Sequence, residues 1–119
     1  MFIAYEVSVE LIQSLRDLLP VIKRQDRDLA DQIHRAATSV ALNLGEGARL
    51  TTGNARRHFE IAHGSAMEVK AGLDVAVAWG WLGDTTAPRQ ILDRLLALLW
   101  RLTRGSRRLG DSRAPNANG

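Results

Sequence analysis

Apolar residues recur at alternating spacings of three and four along four successive stretches of the chain, and this period restricts the fold more than any other feature. An α-helix that buries one side in a bundle shows this period, because residues three and four apart share a face. The longest unbroken example is Phe59, Ala62, Ala66, Val69, Leu73 and Ala76. No stretch alternates with the period of two that is typical of a strand. The sequence therefore predicts an all-α protein.

Residues that commonly begin or end helices mark the limits of the first two predicted helices. The first runs from about Ile3 to Leu19, where Pro20 ends or kinks it, since proline removes a backbone donor and clashes with the preceding turn. The second begins at Asp26 or Asp28, either of which can cap it. The buried positions predicted for these two helices are Ala4, Ser8, Leu11, Leu15, Leu18 and Ile22, then Leu29, Ile33, Ala36, Ala37, Val40, Asn43 and Leu44.

The third predicted helix starts after a short polar loop, with Thr52 or Asn54 as its cap, and ends near Trp79. Gly80 stands where a C-capping glycine belongs. Short loops join all four segments, and short loops make successive helices antiparallel. The predicted fold is an antiparallel up-down-up-down four-helix bundle over residues 1–109.

The fourth predicted helix begins at Thr85 or Thr86 and is apolar over more of its circumference than one bundle core buries. Its seam, the row of apolar residues at spacings of three and four that faces the core, is Leu92, Leu95, Leu99 and Leu102. The additional apolar residues are Ile91, Leu96, Leu98 and Trp100. Monomers rarely leave a large contiguous apolar patch exposed. We therefore expect Trp100 and Leu96 to contact a neighbouring subunit, in a ring-shaped homo-oligomer.

Several features indicate a cytoplasmic protein. The chain has no cysteine, which excludes disulfides and thiolate metal sites, and no apolar run reaches the ~20 residues of a membrane span. Its first residues lack the basic segment that opens a signal peptide. The last ten, 110–119, carry Pro, Asn and Gly, and we expect them to form a disordered tail.

The basic residues are unevenly placed, although the net charge is only +3. Fourteen of the sixteen are arginine, whose planar fork suits phosphate. Four arginines of the last helix are spaced by seven, three and four and should form one stripe, to which three others can add. The predicted nucleic-acid-binding residues are Arg94, Arg101, Arg104, Arg107, Arg108, Arg56 and Arg57. The alternative is an ordinary solvated face.

Two carboxylate-x-x-His pairs, Asp31 with His34 and Glu60 with His63, resemble half of a di-metal bundle site. Ligands of such a site must all project into the core. The apolar period instead places Asp31 and Glu60 on outer faces. We therefore predict no metal, no cofactor and no catalytic residues, with a di-metal carboxylate enzyme as the remote alternative.

Two blocks of the sequence are more specific than amphipathicity requires. Residues 32–47, QIHRAATSVALNLGEG, resemble the second-helix signature of a bacterial four-helix bundle family, and residues 58–68, HFEIAHGSAME, resemble its third-helix signature. The family includes proteins encoded in 23S rRNA intervening sequences and accessory variability proteins of diversity-generating retroelements. Many members have proline where this chain has Val40.

The resemblance implies a homopentameric barrel with a basic surface, which in the retroelement members binds nucleic acid and partners a reverse transcriptase. The polar residues within the two blocks are expected to form a structural network between helices rather than a binding site: Arg35, Asn43, Glu46, Ser65 and Glu68. The residues thus predict a non-enzymatic, ring-forming module that binds nucleic acid, and the resemblance implies that the ring is a homopentamer. The alternative from another class is a scaffold for a protein partner.

Overall fold

The computed structural model describes residues 2–50 and 53–113, and the side chains of all of these except 105–113. The described residues form five helices and no strand, which confirms the all-α prediction. The helices are α1 (Ile3–Leu15), α2 (Leu19–Gln25), α3 (Arg27–Ala48), α4 (Gly53–Ala78) and α5 (Thr86–Arg113). None of these described helices is long and apolar enough to cross a membrane.

The prediction of one helix from Ile3 to Leu19 is wrong in its end, because the chain forms two successive helices between Ile3 and Gln25. Helix α1 ends at Leu15, and Pro20 lies in the first turn of α2. Proline suits a first turn, where no backbone N–H is needed, and so it opens a second helix rather than ending the first. The segment from Lys23 to Arg27 is expected to connect the first two predicted helices, but it is helical as far as Gln25. Ile22 remains fully buried, so the apolar seam continues across the break.

Contacts between α3 and α4 show that these two helices are antiparallel. As positions rise along α3, their partners on α4 fall: Ser39 meets Ser65, and Asn43 meets His58. Helix α4 also packs on α5, and α1 packs on both α3 and α5, while α2 packs on α3. The molecule is a bundle of four helical segments, the first of which consists of α1 followed by α2.

The core contains most of the seam positions that the sequence predicts. The predicted positions that are only half-buried are Leu18, Leu29, Asn43, Phe59 and Leu102. The fully buried large side chains come from every helix: Val7, Leu11, Leu15, Ile22, Ile33, Val40, Leu44, Val69, Leu73, Leu92, Leu95 and Leu99. Helices α3 and α4 approach closely at Gly72. A Cβ atom there would lie 2.5 Å from Cγ1 of Ile33, so only glycine fits this contact.

The helix ends follow from local hydrogen bonds. Asp26 caps α3, accepting a hydrogen bond from the Leu29 backbone N–H at 3.0 Å. Gly80 has φ 79°, a conformation that glycine adopts without strain. The N–H of Trp81 then bonds the Ala76 carbonyl at 3.0 Å, which is the expected pattern for a C-capping glycine.

Helix α5 is fixed to α4 by an ion pair near its start. Arg89 donates a 2.8 Å hydrogen bond to Asp74, and Lys70 lies 3.3 Å from the same carboxylate. The hydrogen bond from Arg89 is the main reason why the pKa of Asp74 is lowered. Helix α5 continues to Arg113, past the start of the tail expected at 110, and residues 114–119 lie outside the described residues.

Candidate nucleic-acid interface

The outward face of α5 carries the predicted arginine stripe. Arg94, Arg101 and Arg104 are all exposed, and none has an ion pair with any described residue. Positions 94, 101, 104 and 108 fall within roughly a quarter of the helix circumference at 100° per residue. The side chains of Arg107 and Arg108 lie outside the described residues, although their backbone belongs to α5. The stripe therefore offers at least three cations that remain available for phosphate.

Arginines at the start of α4 extend the basic surface. Arg57 is exposed, whereas Arg56 is half-buried, with its Nε 3.8 Å from a Glu60 carboxylate oxygen. Glu60 lines a groove together with Arg104, so this flank of α4 faces the C-terminal half of α5. Arg56 lies one turn before Glu60 on the same flank. Arg56 therefore lies at the same end of the bundle as Arg104.

Trp100 and Leu96, predicted to contact a neighbouring subunit, occupy different environments. Leu96 is half-buried and packs against the core of its own chain. Trp100 is 50% exposed, and the guanidinium carbon of Arg104 lies 4.2 Å from the centre of its ring. Trp100 is therefore part of the basic face. A role for either residue in an oligomer stays a prediction.

The broad apolar circumference of α5 is mostly covered within the chain. Ile91, Leu98 and Leu102 are half-buried and pack against the core cluster. The reason is that α5 lies against both α1 and α4, and a helix with two neighbours buries more than a single seam. Much of the apolar surface from which an oligomer is predicted is thus accounted for without a second subunit.

A chain of hydrogen bonds joins two of the five residues expected to form a polar network. The Asn43 amide donates to Ser39, at 2.9 Å to its carbonyl and 3.2 Å to its hydroxyl. The two hydroxyls of Ser39 and Ser65 lie 2.9 Å apart, and Asn43 Oδ1 lies 2.9 Å from His58 Nδ1. The structure therefore places Asn43 and Ser65 in one network between α3 and α4.

Ser39 and His58 complete this network, and the sequence analysis did not single them out. Their only sequence signal is position, since Ser39 precedes Asn43 by one helical turn. The other three predicted members lie elsewhere. Glu46 forms a 2.7 Å ion pair with Arg49 within α3, and neither Arg35 nor Glu68 has a hydrogen bond or ion pair in the described part of the chain.

The two carboxylate–histidine pairs lie in separate grooves. Asp31 and His34 line a groove against α2, whereas Glu60 and His63 line the groove between α4 and α5. Across residues 2–50 and 53–104, whose side chains the structure describes, no group of three or more histidine, aspartate or glutamate side chains could hold a metal ion. The absence of a metal stays a prediction.

Comparison with known proteins gives one match. A family model described as 23S rRNA-intervening sequence protein matches residues 2–100, which is most of the chain. No curated protein matches the chain, and neither does any solved structure.

Proposed function

Because this chain belongs to the 23S rRNA-intervening sequence protein family, we propose that it is a cytoplasmic, non-enzymatic module that binds RNA through the arginine face of α5. The observation that carries the proposal is the stripe of Arg94, Arg101 and Arg104, exposed and without carboxylate partners among the described residues. Arginines held in a row along a rigid helix neutralise successive phosphates and release their counterions. The family name associates the protein with ribosomal RNA genes, and this favours RNA as the ligand.

The experiment that tests this function is a salt titration of RNA binding. Fluorescence anisotropy of a labelled RNA should show binding that weakens steeply with salt. A slope of log K against log[salt] between about −2 and −5 is expected, since each contact with a single strand contributes roughly 0.7 to the slope. No binding at about 50 mM salt would contradict the proposal, because electrostatic contacts are strongest there.

The second part of the proposal is that the protein assembles into a ring-shaped homopentamer. The number five rests on the resemblance alone. Exposed large apolar side chains support an interface on one face of α4, where Ile61, Met67 and Val75 are exposed within roughly a third of the helix circumference at 100° per residue. Monomers rarely keep such surface in water. We place the contact between subunits on this outer face of α4.

Light scattering after size exclusion is expected to give five times the mass of one chain for the wild type. Val75→Glu should reduce this mass, because the new carboxylate would be buried without a partner. Leu42→Glu is the matched control, since Leu42 is 69% exposed but lies on α3. A wild-type mass of one chain at micromolar concentration would refute the assembly, and an unchanged mass for Val75→Glu would place the interface elsewhere.

A reverse transcriptase partner is the most specific part of the proposal and rests on the retroelement branch of the resemblance. Affinity purification of the tagged protein from its own cells is the direct test. Recovery of a reverse transcriptase is expected if this branch applies, and recovery of RNA without the enzyme would limit the role to RNA binding.

A further inference from the structure

The arginine face of α5 contains one large aromatic side chain, Trp100. Half of its surface is exposed, and it stands next to Arg101 in the chain. The Arg104 guanidinium lies over its ring at 4.2 Å from the centroid. Arginine over a tryptophan ring is a favourable cation–π pair, in which the guanidinium covers one face of the ring. This contact sets Trp100 apart from Tyr5 and Trp79, the other exposed aromatic side chains in the described part of the chain, neither of which has a cation–π contact with an arginine there.

Trp100 also forms one wall of a groove of about 300 Å³ between α4 and α5. Thr103 and Arg104 share this wall, and Glu60 and His63 line the opposite side. The Thr103 hydroxyl already donates to the Leu99 carbonyl at 3.0 Å. Glu60 and His63 are half-buried residues that line the groove opposite the ring. The groove thus combines an aromatic wall, polar groups and adjacent cations.

We propose that this groove binds an unpaired base of single-stranded RNA, stacked against Trp100, while Arg101 and Arg104 contact the neighbouring phosphates. The inference rests on the proposed function and names the form of RNA that the arginine face takes. A base in an A-form duplex is stacked between its neighbours. The major groove of the duplex is also too narrow for side chains to reach the base edges. Only an unpaired base can lie flat on the ring, and such stacking tolerates any of the four bases.

An oligomer contact at Trp100 fits the surroundings less well. A neighbouring subunit that covered Trp100 would also remove water from Arg101 and Arg104. Burying these charges is costly unless the partner supplies carboxylates that pair with them. A nucleotide supplies both an aromatic base for Trp100 and negatively charged phosphates for Arg101 and Arg104. It therefore matches the ring and the charges of this site together.

The test compares one strand of labelled RNA, free and annealed to its complement, on the full-length protein. Trp100→Leu keeps an apolar side chain without the ring and is expected to weaken single-strand binding by about tenfold. Duplex binding and the salt slope should stay as in the wild type, because no charge is lost. Trp100→Phe should retain most of the affinity. Trp79→Leu is the matched control, since Trp79 is 69% exposed outside the arginine face.

A spectroscopic measurement keeps the test independent of affinity. In a Trp79→Phe, Trp81→Phe background, Trp100 is the only tryptophan, and its emission should be quenched by the single strand but not by the duplex. Equal loss of binding to both forms in Trp100→Leu, or a fall in oligomeric mass, would assign Trp100 a structural role and overturn the inference. Unchanged single-strand binding in this variant would overturn the inference alone. Failure of the wild type to bind either RNA would overturn the proposed function as well.

Discussion

Replacing Arg94, Arg101 and Arg104 together with glutamine is expected to weaken RNA binding about a hundredfold at about 0.1 M salt. Each arginine that contacts phosphate contributes roughly 0.7 to the slope of log K against log[salt], so three contribute about 2. All three side chains are exposed on one helix, and none has an ion pair with a described residue. Their loss should therefore leave the fold intact. Anisotropy titrations at several salt concentrations measure both the affinity and the slope.

The control is a variant with the same change in charge at the other end of the bundle. Arg16, Arg24 and Arg27 are also exposed, and they lie around α2 and the start of α3. Replacing these three with glutamine also lowers the net charge from +3 by three, to zero. Binding should change little, because the phosphates do not reach this end. Equal weakening in the two variants would mean that only total charge attracts RNA and that the stripe is a solvated face.

Gly72→Ala is expected to destabilise the fold by about 2 kcal/mol. Alanine favours a helix over glycine by roughly 1 kcal/mol, but the added Cβ would lie 2.5 Å from Cγ1 of Ile33. Ile33 is 1% exposed, and a β-branched side chain in a helix has one strongly preferred rotamer, so it cannot turn away easily. Helices α3 and α4 must then separate. Urea denaturation followed by circular dichroism measures the change.

Gly64→Ala is the matched control on the same helix. A Cβ at Gly64 would have no neighbour within 4 Å, so alanine should stabilise the fold by up to about 1 kcal/mol. Combining Gly72→Ala with Ile33→Ala should cost less than the sum of the two single changes, since the second removes the atom that the first would strike. Equal effects of alanine at the two glycines would show that α3 and α4 are not closely packed at Gly72.

The sequence was sufficient for the predicted seams of α3 and α4 because their period depends only on which side chains avoid water. Ile33, Val40, Leu44, Val69 and Leu73 are all fully buried, as predicted. Local chemistry also allowed Gly80 to be identified as a cap. The break before Pro20 was misplaced, since proline is compatible both with the end of one helix and with the first turn of another. Leu15 and Ile22, seven residues apart, can be buried in either arrangement, so the apolar period did not distinguish the two.

The candidate site, like the fold, has some features that the sequence determined and others that only the tertiary structure decided. The sequence determined that arginines lie on one face of the last helix and that the chain carries the signature of its family, because helical period and residue identity are written in the chain. Only the tertiary structure decided that Trp100 stays half exposed, that His58 reaches Asn43, and that Gly72 lies against Ile33. Each of these is a contact between helices or an exposure left by them. Such contacts depend on how far each helix is rotated and how closely it approaches its neighbour, and a single-helix period does not fix either quantity.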